Sequence, residues 1–204
     1  MVSAVFCGTA QDIKLPAVDM NQKSANMVKT LAERHSVRGY SSKELSAQDL
    51  SNLCWAACGV SRDNDHRTAP TARNMKEIRL FVFNADGAYE YDAVANTLKL
   101  VKKGDHRKLV AGGKGFSQDF VLQAPVSLVM VIDYDLFGSS NEKALMMGCV
   151  DAGNVSENIN LYCQAVGLCT VPRATMDVEG IRTLLGLTEK QLPIMNNPVG
   201  YPKK

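Results

Sequence analysis

The sequence predicts an α+β fold, because its helical and strand-forming segments are interspersed without regular βαβ alternation. Three features carry this prediction: an antiparallel meander over 78–83, 89–92 and 97–101, an apolar strand over 126–132, and a long helix over 141–166. Asp86-Gly87 is a strong hairpin turn within the meander, and Gly167 closes the helix. We expect an antiparallel or mixed central sheet flanked by helices, with the apolar strand buried on both faces.

The first third of the chain predicts an extended arm over residues 11–23, followed by two helices. The first runs over 24–33 from Ser24, a plausible N-cap. Its inward face is expected to carry Met27, Val28 and Leu31. The second begins at Ser46, with Asp49 placed close to a capping box, and ends at Gly59.

The segments between and after the three main features follow from local signals. We expect a short helix over 105–110, a glycine-rich loop over 112–115, a strand over 168–171, a helix over 178–185 and an extended tail after Gly186.

Length and composition set the class of protein. A chain of 204 residues suits one domain, and we expect an arm over 1–23 followed by a single domain over 24–204. The net charge of +2 gives no argument for nucleic acid or an anionic membrane as partner. The longest strongly apolar run, 126–132, is far shorter than the roughly 18 residues of a membrane helix.

The six cysteines contain no CxxC pair, so the chain lacks the cysteine spacing of zinc ribbons and of thioredoxin-like proteins. Cys54 and Cys58 lie one helical turn apart and are expected to fill the core, as are Cys149 and Cys163 in the long helix. The three histidines show no metal-ligand spacing, and we predict no metal site.

The N-terminus leaves the compartment open. Residues Val2–Cys7 are apolar and Gly8-Thr9-Ala10 resembles a cleavage site, but a basic n-region is missing. The segment is either the remnant of a truncated signal peptide, which would indicate export, or an ordinary chain end. Localisation is therefore unknown between cytoplasmic and exported.

The segment Arg34-His35-Ser36-Val37-Arg38 is the most informative one for function. Two guanidiniums and a hydroxyl around one turn suit a phosphate and electron-rich oxygens, because arginine offers forked and permanently charged donors. A solvated charged turn is the alternative.

Three further segments occur downstream of this one, namely 67–74, 150–161 and 167–173, together with Val199-Gly200-Tyr201-Pro202. In order and spacing they resemble the nitroreductase family of flavin mononucleotide (FMN) enzymes, from about Ser24 to Lys204. The resemblance implies a homodimer of α+β subunits with a long central dimer helix. It also implies FMN at the subunit interface.

The resemblance assigns roles to the cationic segment, within which His35 also lies. Arg34 would bind the FMN phosphate, Ser36 would donate to the phosphate or the ribityl chain, and Arg38 would face the N1/O2 edge. A cation at that edge stabilises the reduced flavin. The family often places a late basic residue on the phosphate, which here would be Lys203 or Lys204 unless both are simply solvated.

Two other segments are implied as cofactor contacts. Pro70-Thr71-Ala72-Arg73-Asn74 resembles the Pro-Ser-x-x-Asn loop that reaches the flavin of the other subunit, through Pro70, Thr71, Ala72 and Asn74. Val171-Pro172-Arg173-Ala174 resembles the segment whose backbone amides approach flavin N5 and O4. The family's common acidic residue near Ala174 is absent. A plain turn and an ordinary helix-to-strand connection are the alternatives.

Asp151 lies with Glu157 and Asn158 in the long helix, where paired carboxylates would allow acid–base work. We favour a structural role, with Ala152 and Gly153 permitting close helix approach. Phe116 and Phe120 are expected in the core, or else in a nicotinamide pocket.

The resemblance implies an FMN-dependent oxidoreductase working by a ping-pong mechanism. NADH or NADPH would be the transient electron donor, and a nitroaromatic, a quinone or a similar small molecule the acceptor. No side chain is predicted as catalytic, because the flavin carries the hydride. The alternatives are a flavin-dependent dehydrogenase that oxidises its own substrate and a non-catalytic flavin-binding protein.

Overall fold

The computed structural model describes residues 10–113 and 115–203. The predictions about the apolar N-terminal segment, Lys114 and Lys204 fall outside these residues. Within them the helices are α1 (Met27–Glu33), α2 (Ala47–Cys58), α3 (Arg107–Ala111), α4 (Tyr134–Phe137), α5 (Glu142–Val166) and α6 (Val178–Leu185). The strands are β1 (Ile13–Lys14), β2 (Val60–Arg62), β3 (His66–Arg67), β4 (Ile78–Phe83), β5 (Gly87–Asp92), β6 (Thr97–Lys103), β7 (Gly112–Gly113), β8 (Phe116–Ser117), β9 (Val126–Asp133), β10 (Cys169–Thr170) and β11 (Gln191–Gly200). Short 3-10 turns span Ala72–Asn74 and Asp119–Gln123.

Seven strands form one sheet in the order β1-β6-β5-β4-β9-β11-β10, and each described pairing in it is antiparallel. This confirms the predicted α+β class. All of β9 is buried, and its side chains alternate between the two faces. Leu128, Met130 and Ile132 pack with residues of α2 and α5, whereas Val129 and Val131 pack with residues of α3 and α6. The predicted burial of this strand on both faces is confirmed.

The caps of the two main helices agree with their sequence signals. Ser46 and Asp49 form a reciprocal capping box at the start of α2. Asn141 accepts a hydrogen bond from the Ala144 backbone N–H at the start of α5. At the other end of α5, Gly167 adopts a left-handed conformation with φ 80°, which favours glycine. None of the helices in the described residues is both long and apolar enough to cross a membrane.

The predicted extended tail is wrong over residues Gln191–Gly200, which form β11 next to the central strand β9. Prolines normally exclude a segment from the middle of a sheet, and this one contains Pro193 and Pro198. The register shifts just after Pro193, so the strand accommodates an irregularity there. Asn196 and Asn197 are fully buried and hydrogen-bonded, so polar side chains stabilise a strand that an apolar pattern would not reveal.

The prediction for the first helix is also corrected. α1 is capped by Asn26 rather than by Ser24, and Thr30 is the residue that this helix buries against the rest of the protomer. The three side chains expected to face inward are exposed, Met27 by 62%, Val28 by 79% and Leu31 by 57%. The apolar stripe is present, but none of the residues that the structure describes covers it.

The cysteines divide in the same way. Those at 54, 58 and 163 are buried, as predicted, and burial raises the pKa of Cys58 to about 12. Cys149 is exposed, so its expected place in the core is wrong, because that face of α5 points away from the sheet. The cysteines of the described segments form no disulfide.

Two segments read as irregular contain short pairings. The arm includes β1, in which Ile13 pairs with Leu98 at the edge of the sheet. The glycine-rich segment includes β7, in which Gly113 pairs with Phe116. Both pairings are shorter than an alternating pattern can reveal.

The packing of α5 on β9 gives a stability prediction. A Cβ added at Gly148 would lie 2.7 Å from Cδ1 of Ile132. Gly148→Ala should therefore lower the free energy of unfolding by about 1–3 kcal/mol through overpacking. Urea unfolding of the two chains measures the difference.

The control shortens the facing side chain. Ile132→Val removes the closest atom, and alone it should cost about 0.5–1.5 kcal/mol. In the double variant the loss should be smaller than the sum of the two single losses, because the clash is partly relieved. Strictly additive losses would contradict this packing.

Candidate functional site

The loop that follows α1 presents most of its polar side chains to solvent. Val37 is anchored inward, with its N–H donating to the Thr170 carbonyl oxygen at 3.0 Å. The side chains of His35, Ser36 and Arg38 are exposed, and Arg34 is half-buried. Since the loop is tied to β10 while its donors face outward, it can offer them to a ligand without rearranging.

Lys203 lies beside the same loop. Its backbone N–H donates to the Gly39 carbonyl oxygen at 3.2 Å, and its side chain is exposed. Among the described residues, none forms an ion pair with Arg34, Arg38 or Lys203. A group of cations without carboxylate partners fits a phosphate, because the charge of the ligand would compensate theirs.

The segment that follows β10 is held rigidly. Arg173 exchanges backbone hydrogen bonds with Asn196 of β11, at 2.8 Å and 2.7 Å. Val171 is buried, Pro172 is half-buried and Ala174 is exposed. The N–H of Arg173 is thus committed to the sheet, and the exposed backbone of this segment lies around Ala174.

The guanidinium of Arg173 points into the protein. It donates to Oε1 of Gln118 at 2.7 Å, to Oδ1 of Asn196 at 2.6 Å, and to the backbone carbonyl oxygens of Val110 and Ala111 at 3.0 Å and 3.1 Å. Burial lowers the pKa of this side chain. The guanidinium therefore stabilises the 171–174 segment from the interior side, and its charge is not exposed at the surface.

The loop over 70–74 is held in an unusual backbone conformation. Arg73 and Asn74 both have positive φ, 53° and 57°, and are exposed. The Ala72 N–H donates to Oδ2 of Asp151 at 2.6 Å, and Oγ1 of Thr71 accepts from the Lys76 N–H at 2.9 Å. The hydroxyl oxygen of Thr71 thus closes the loop on itself.

The predicted contacts fall into two groups that one protomer keeps apart. The Lys203 N–H bonds to Gly39, just after the 34–38 loop, and Arg34 lies near Thr170, the residue before the 171–174 segment, and borders α5 near Cys163. The 70–74 loop contacts α5 at Asp151, and Nδ2 of Asn154 donates to the Pro70 carbonyl oxygen at 3.4 Å. From Asp151 to Cys163 the helix rises roughly 18 Å, at about 1.5 Å per residue. A single chain therefore does not bring the two groups together.

Glu77 is a residue that the sequence reading missed. It is fully buried next to β4, and burial followed by the neighbouring Asp151 carboxyl raises its pKa to about 8. It lies just after the polar 67–74 segment, where no apolar periodicity indicates its burial. Among the described residues, no group of three or more potential ligands could hold a metal ion.

A cavity of about 180 Å³ lies behind the 70–74 loop and is bordered by Thr71, Arg67, Lys76 and Arg79. Its cations are already paired: Arg67 and Lys76 with Asp65, and Arg79 with Glu90. It therefore offers no uncompensated charge comparable to that of the loop after α1.

Known proteins resemble this chain over most of its length. The sequence model of the Nitroreductase family matches residues 31–201. A proposed nitroreductase of Methanocaldococcus jannaschii is 26% identical, over 95% of this chain and 98% of its own length.

Solved structures extend the likeness to the fold. That of a proposed nitroreductase from Ralstonia eutropha JMP134 is 30% identical, with a TM-score of 0.86, covering 96% of this chain and 91% of that one. One from Parabacteroides distasonis, named as a proposed NADH dehydrogenase/NAD(P)H nitroreductase, has 19% identity and a TM-score of 0.62. It covers 88% of this chain and 89% of its own. The chain belongs to the nitroreductase family of oxidoreductases.

Proposed function

We propose that this chain is an FMN-dependent oxidoreductase that takes electrons from NADH or NADPH and passes them to a nitroaromatic, a quinone or a similar acceptor. When bound, FMN would supply the redox chemistry, in a ping-pong sequence where donor and acceptor use one pocket in turn. The observation that carries the proposal is the set of cations made of half-buried Arg34 and exposed Arg38 and Lys203, which have no carboxylate partners among the described residues.

The proposal assigns these cations to two parts of the cofactor. Arg34 and Lys203 would hold the phosphate, and Ser36 would donate a hydrogen bond to it or to the ribityl chain. Arg38 would lie at the N1/O2 edge, where a fixed positive charge favours the reduced cofactor. His35 is exposed in the same loop, and its Nδ1 lies 2.8 Å from the Glu33 carbonyl oxygen.

The 171–174 segment would orient the ring system. Because Arg173 is fixed to Asn196 on both its backbone and its side chain, this segment cannot easily shift when a ligand arrives. Small, exposed Ala174 leaves room for a planar group to approach the backbone. Backbone donors suit such a place, since they orient a reacting atom without adding a competing acid.

We further propose a homodimer that completes the site. α5 exposes an apolar stripe that is not covered in one protomer, made of Leu145, Met146, Cys149 and Val150. A Cβ at Gly153 would meet nothing within 4 Å, so another helix could approach closely there. In such a dimer the 70–74 loop of one subunit would reach the cofactor held by the 34–38 loop of the other, as the family resemblance implies.

The remaining features follow from the same proposal. The exposed stripe of α1 would extend the interface, which accounts for Met27, Val28 and Leu31 facing outward. Residues 24–204 would form the single family domain, preceded by the N-terminal arm. The name of the Parabacteroides distasonis neighbour supports a nicotinamide as donor.

Two measurements test the proposed function together. The purified chain should show the absorbance bands of an oxidised flavin, and anaerobic mixing with NADH or NADPH should bleach them. Steady oxidation of the nicotinamide with a nitroaromatic would exclude a non-catalytic flavin protein. Bleaching by another substrate, with neither nicotinamide effective, would favour a flavin dehydrogenase. A chain that binds no FMN would refute the proposal.

The two arginines should separate binding from redox tuning. Arg34→Ala should weaken FMN binding by roughly 10- to 100-fold, the loss of one charge-assisted hydrogen bond. Arg38→Ala should instead lower the reduction potential by roughly 30 mV, a tenfold change in a two-electron equilibrium. Fluorescence titration and a potentiometric dye assay measure these effects.

The control for both is Arg62→Ala, which removes an exposed arginine from β2. It should change neither affinity nor potential. An unchanged potential in Arg38→Ala would remove this residue from the N1/O2 edge.

The interface can be tested with a charge on the exposed face of α5. Val150→Asp should produce monomers and release FMN, because a carboxylate would be buried in an apolar contact. Val94→Asp is the matched control at another exposed valine and should leave the dimer intact. Light scattering with absorbance detection reports both properties, and a monomer that retains FMN would contradict the shared site.

A further inference from the structure

Glu77 and Asp151 form a buried carboxyl pair at the base of the 70–74 loop. Glu77 is 0% exposed and Asp151 is 4% exposed. Neither carboxyl oxygen of Glu77 meets a hydrogen-bond donor among the described residues, and its near neighbour is the carboxyl of Asp151. Burial, together with the carboxyl of Asp151 beside it, disfavours the ionised form of Glu77 and raises its pKa, so Glu77 retains its proton near neutral pH.

Asp151 connects the carboxyl pair to the 70–74 loop. Its Oδ2 accepts the N–H of Ala72 at 2.6 Å, within the short 3-10 turn. The pair thus joins three parts of the fold: the residue before β4, the middle of α5 and the loop. The second contact between loop and helix, from Asn154 to the Pro70 carbonyl oxygen, is longer at 3.4 Å.

The loop needs such a restraint, because its backbone is strained. Arg73, Asn74 and Lys76 have φ values of 53°, 57° and 58°, in the left-handed region that favours glycine. Non-glycine residues stay in that region only where their surroundings hold them. A carboxylate that accepts a backbone N–H at the start of this run supplies that hold.

We propose that protonated Glu77 and the side chain of Asp151 together fasten the 70–74 loop to α5, as positioning residues of the cofactor site. Protonated Glu77 donates its O–H to the Asp151 carboxylate, which keeps its bond to Ala72. The relevance to the cofactor rests on the proposed function, in which this loop covers the flavin of the other subunit. Both carboxyls are buried, and we assign them a positioning role and not a catalytic one.

The charged neighbours of the pair are engaged elsewhere. Lys76, next to Glu77, is held by Asp65 at 3.2 Å. From β9, the Asp133 N–H donates to the Glu77 carbonyl oxygen at 2.9 Å. The carboxylate of Asp133 faces Arg79 of β4 at 3.7 Å and accepts a hydrogen bond from Gln191 of β11 at 2.8 Å. None of these groups offers a free cation to a second negative charge on the pair.

The proton therefore sets a pH window. Burial and the neighbouring Asp151 raise the pKa of Glu77 from its ordinary value near 4.5 to about 8. At pH 7 the folded chain keeps the proton and the loop is held. As the pH rises through about 8 the proton leaves, the two carboxylates repel each other, and the loop loosens.

The test uses the full-length chain and trypsin, which cuts after exposed Arg73 only when the loop opens. Cleavage is followed from pH 6 to pH 9 and divided by that of a free peptide of residues 68–80 at the same pH. In the wild-type chain the ratio should rise about tenfold or more as the pair ionises. Glu77→Gln keeps the shape and an N–H donor but has no proton to lose, so its ratio should stay low and flat.

Two controls make the result specific. Glu142→Gln removes an exposed carboxyl from the first turn of α5 and should keep the wild-type pH profile. Asp151→Ala removes the acceptor for Ala72 and should show rapid cleavage at every pH, whereas Asp151→Asn, which can still accept that bond, should restore protection. A flat wild-type profile, or an equal rise in Glu77→Gln, would overturn the proposal.

Added FMN separates this inference from the proposed function. If the loop covers the flavin, FMN should bind the wild-type chain more weakly above pH 8, relative to Glu77→Gln at the same pH. Cleavage that follows pH while FMN affinity does not would support the carboxyl pair and refute the covering role of the loop.

Discussion

The buried asparagines of β11 are the interaction on which the other parts of the structure depend. Asn196 binds Arg173 through backbone and side chain, which fixes the segment after β10. The side chain of Asn197 accepts a hydrogen bond from Ser156 of α5 at 2.8 Å and donates one to Thr170 of β10 at 3.2 Å. A buried amide is costly unless it is hydrogen-bonded, so only one register of strand and helix satisfies both side chains. Sheet, long helix and candidate site are thereby set relative to one another.

The sequence predicted the elements whose stability is local or strongly periodic. The capped helices α2 and α5, the Asp86-Gly87 hairpin and the apolar strand β9 all carry their own signals, and the structure contains each of them. It did not predict β11, because two prolines and two asparagines resemble a loop until distant partners are known. The sequence also could not show which way the apolar face of α1 points. A periodic apolar stripe indicates burial, but it does not identify the surface that buries it.

The candidate site shows the same limit. The half-buried position of Arg34 and the exposed positions of Ser36 and Arg38 agree with the roles that the family resemblance implies, and these roles remain proposals. Arg173 is a predicted cofactor contact because of its position in a motif. Its guanidinium, however, donates its hydrogen bonds to acceptors inside the protein. The sequence does not indicate the burial of Glu77, because that burial comes from tertiary packing. Spacing along a chain identifies which segments meet, whereas the direction of a side chain depends on neighbours far away in sequence.

The late position of β11 in the chain has a consequence for biosynthesis. This strand follows every other strand of the sheet in chain order, yet it lies between β9 and β10 and holds both. While the ribosome is still adding these residues, β9 has one open edge and its apolar face is incompletely covered. The nascent polypeptide thus passes through a period in which its most hydrophobic strand can pair with a wrong partner, and a chaperone would be of most use to it then.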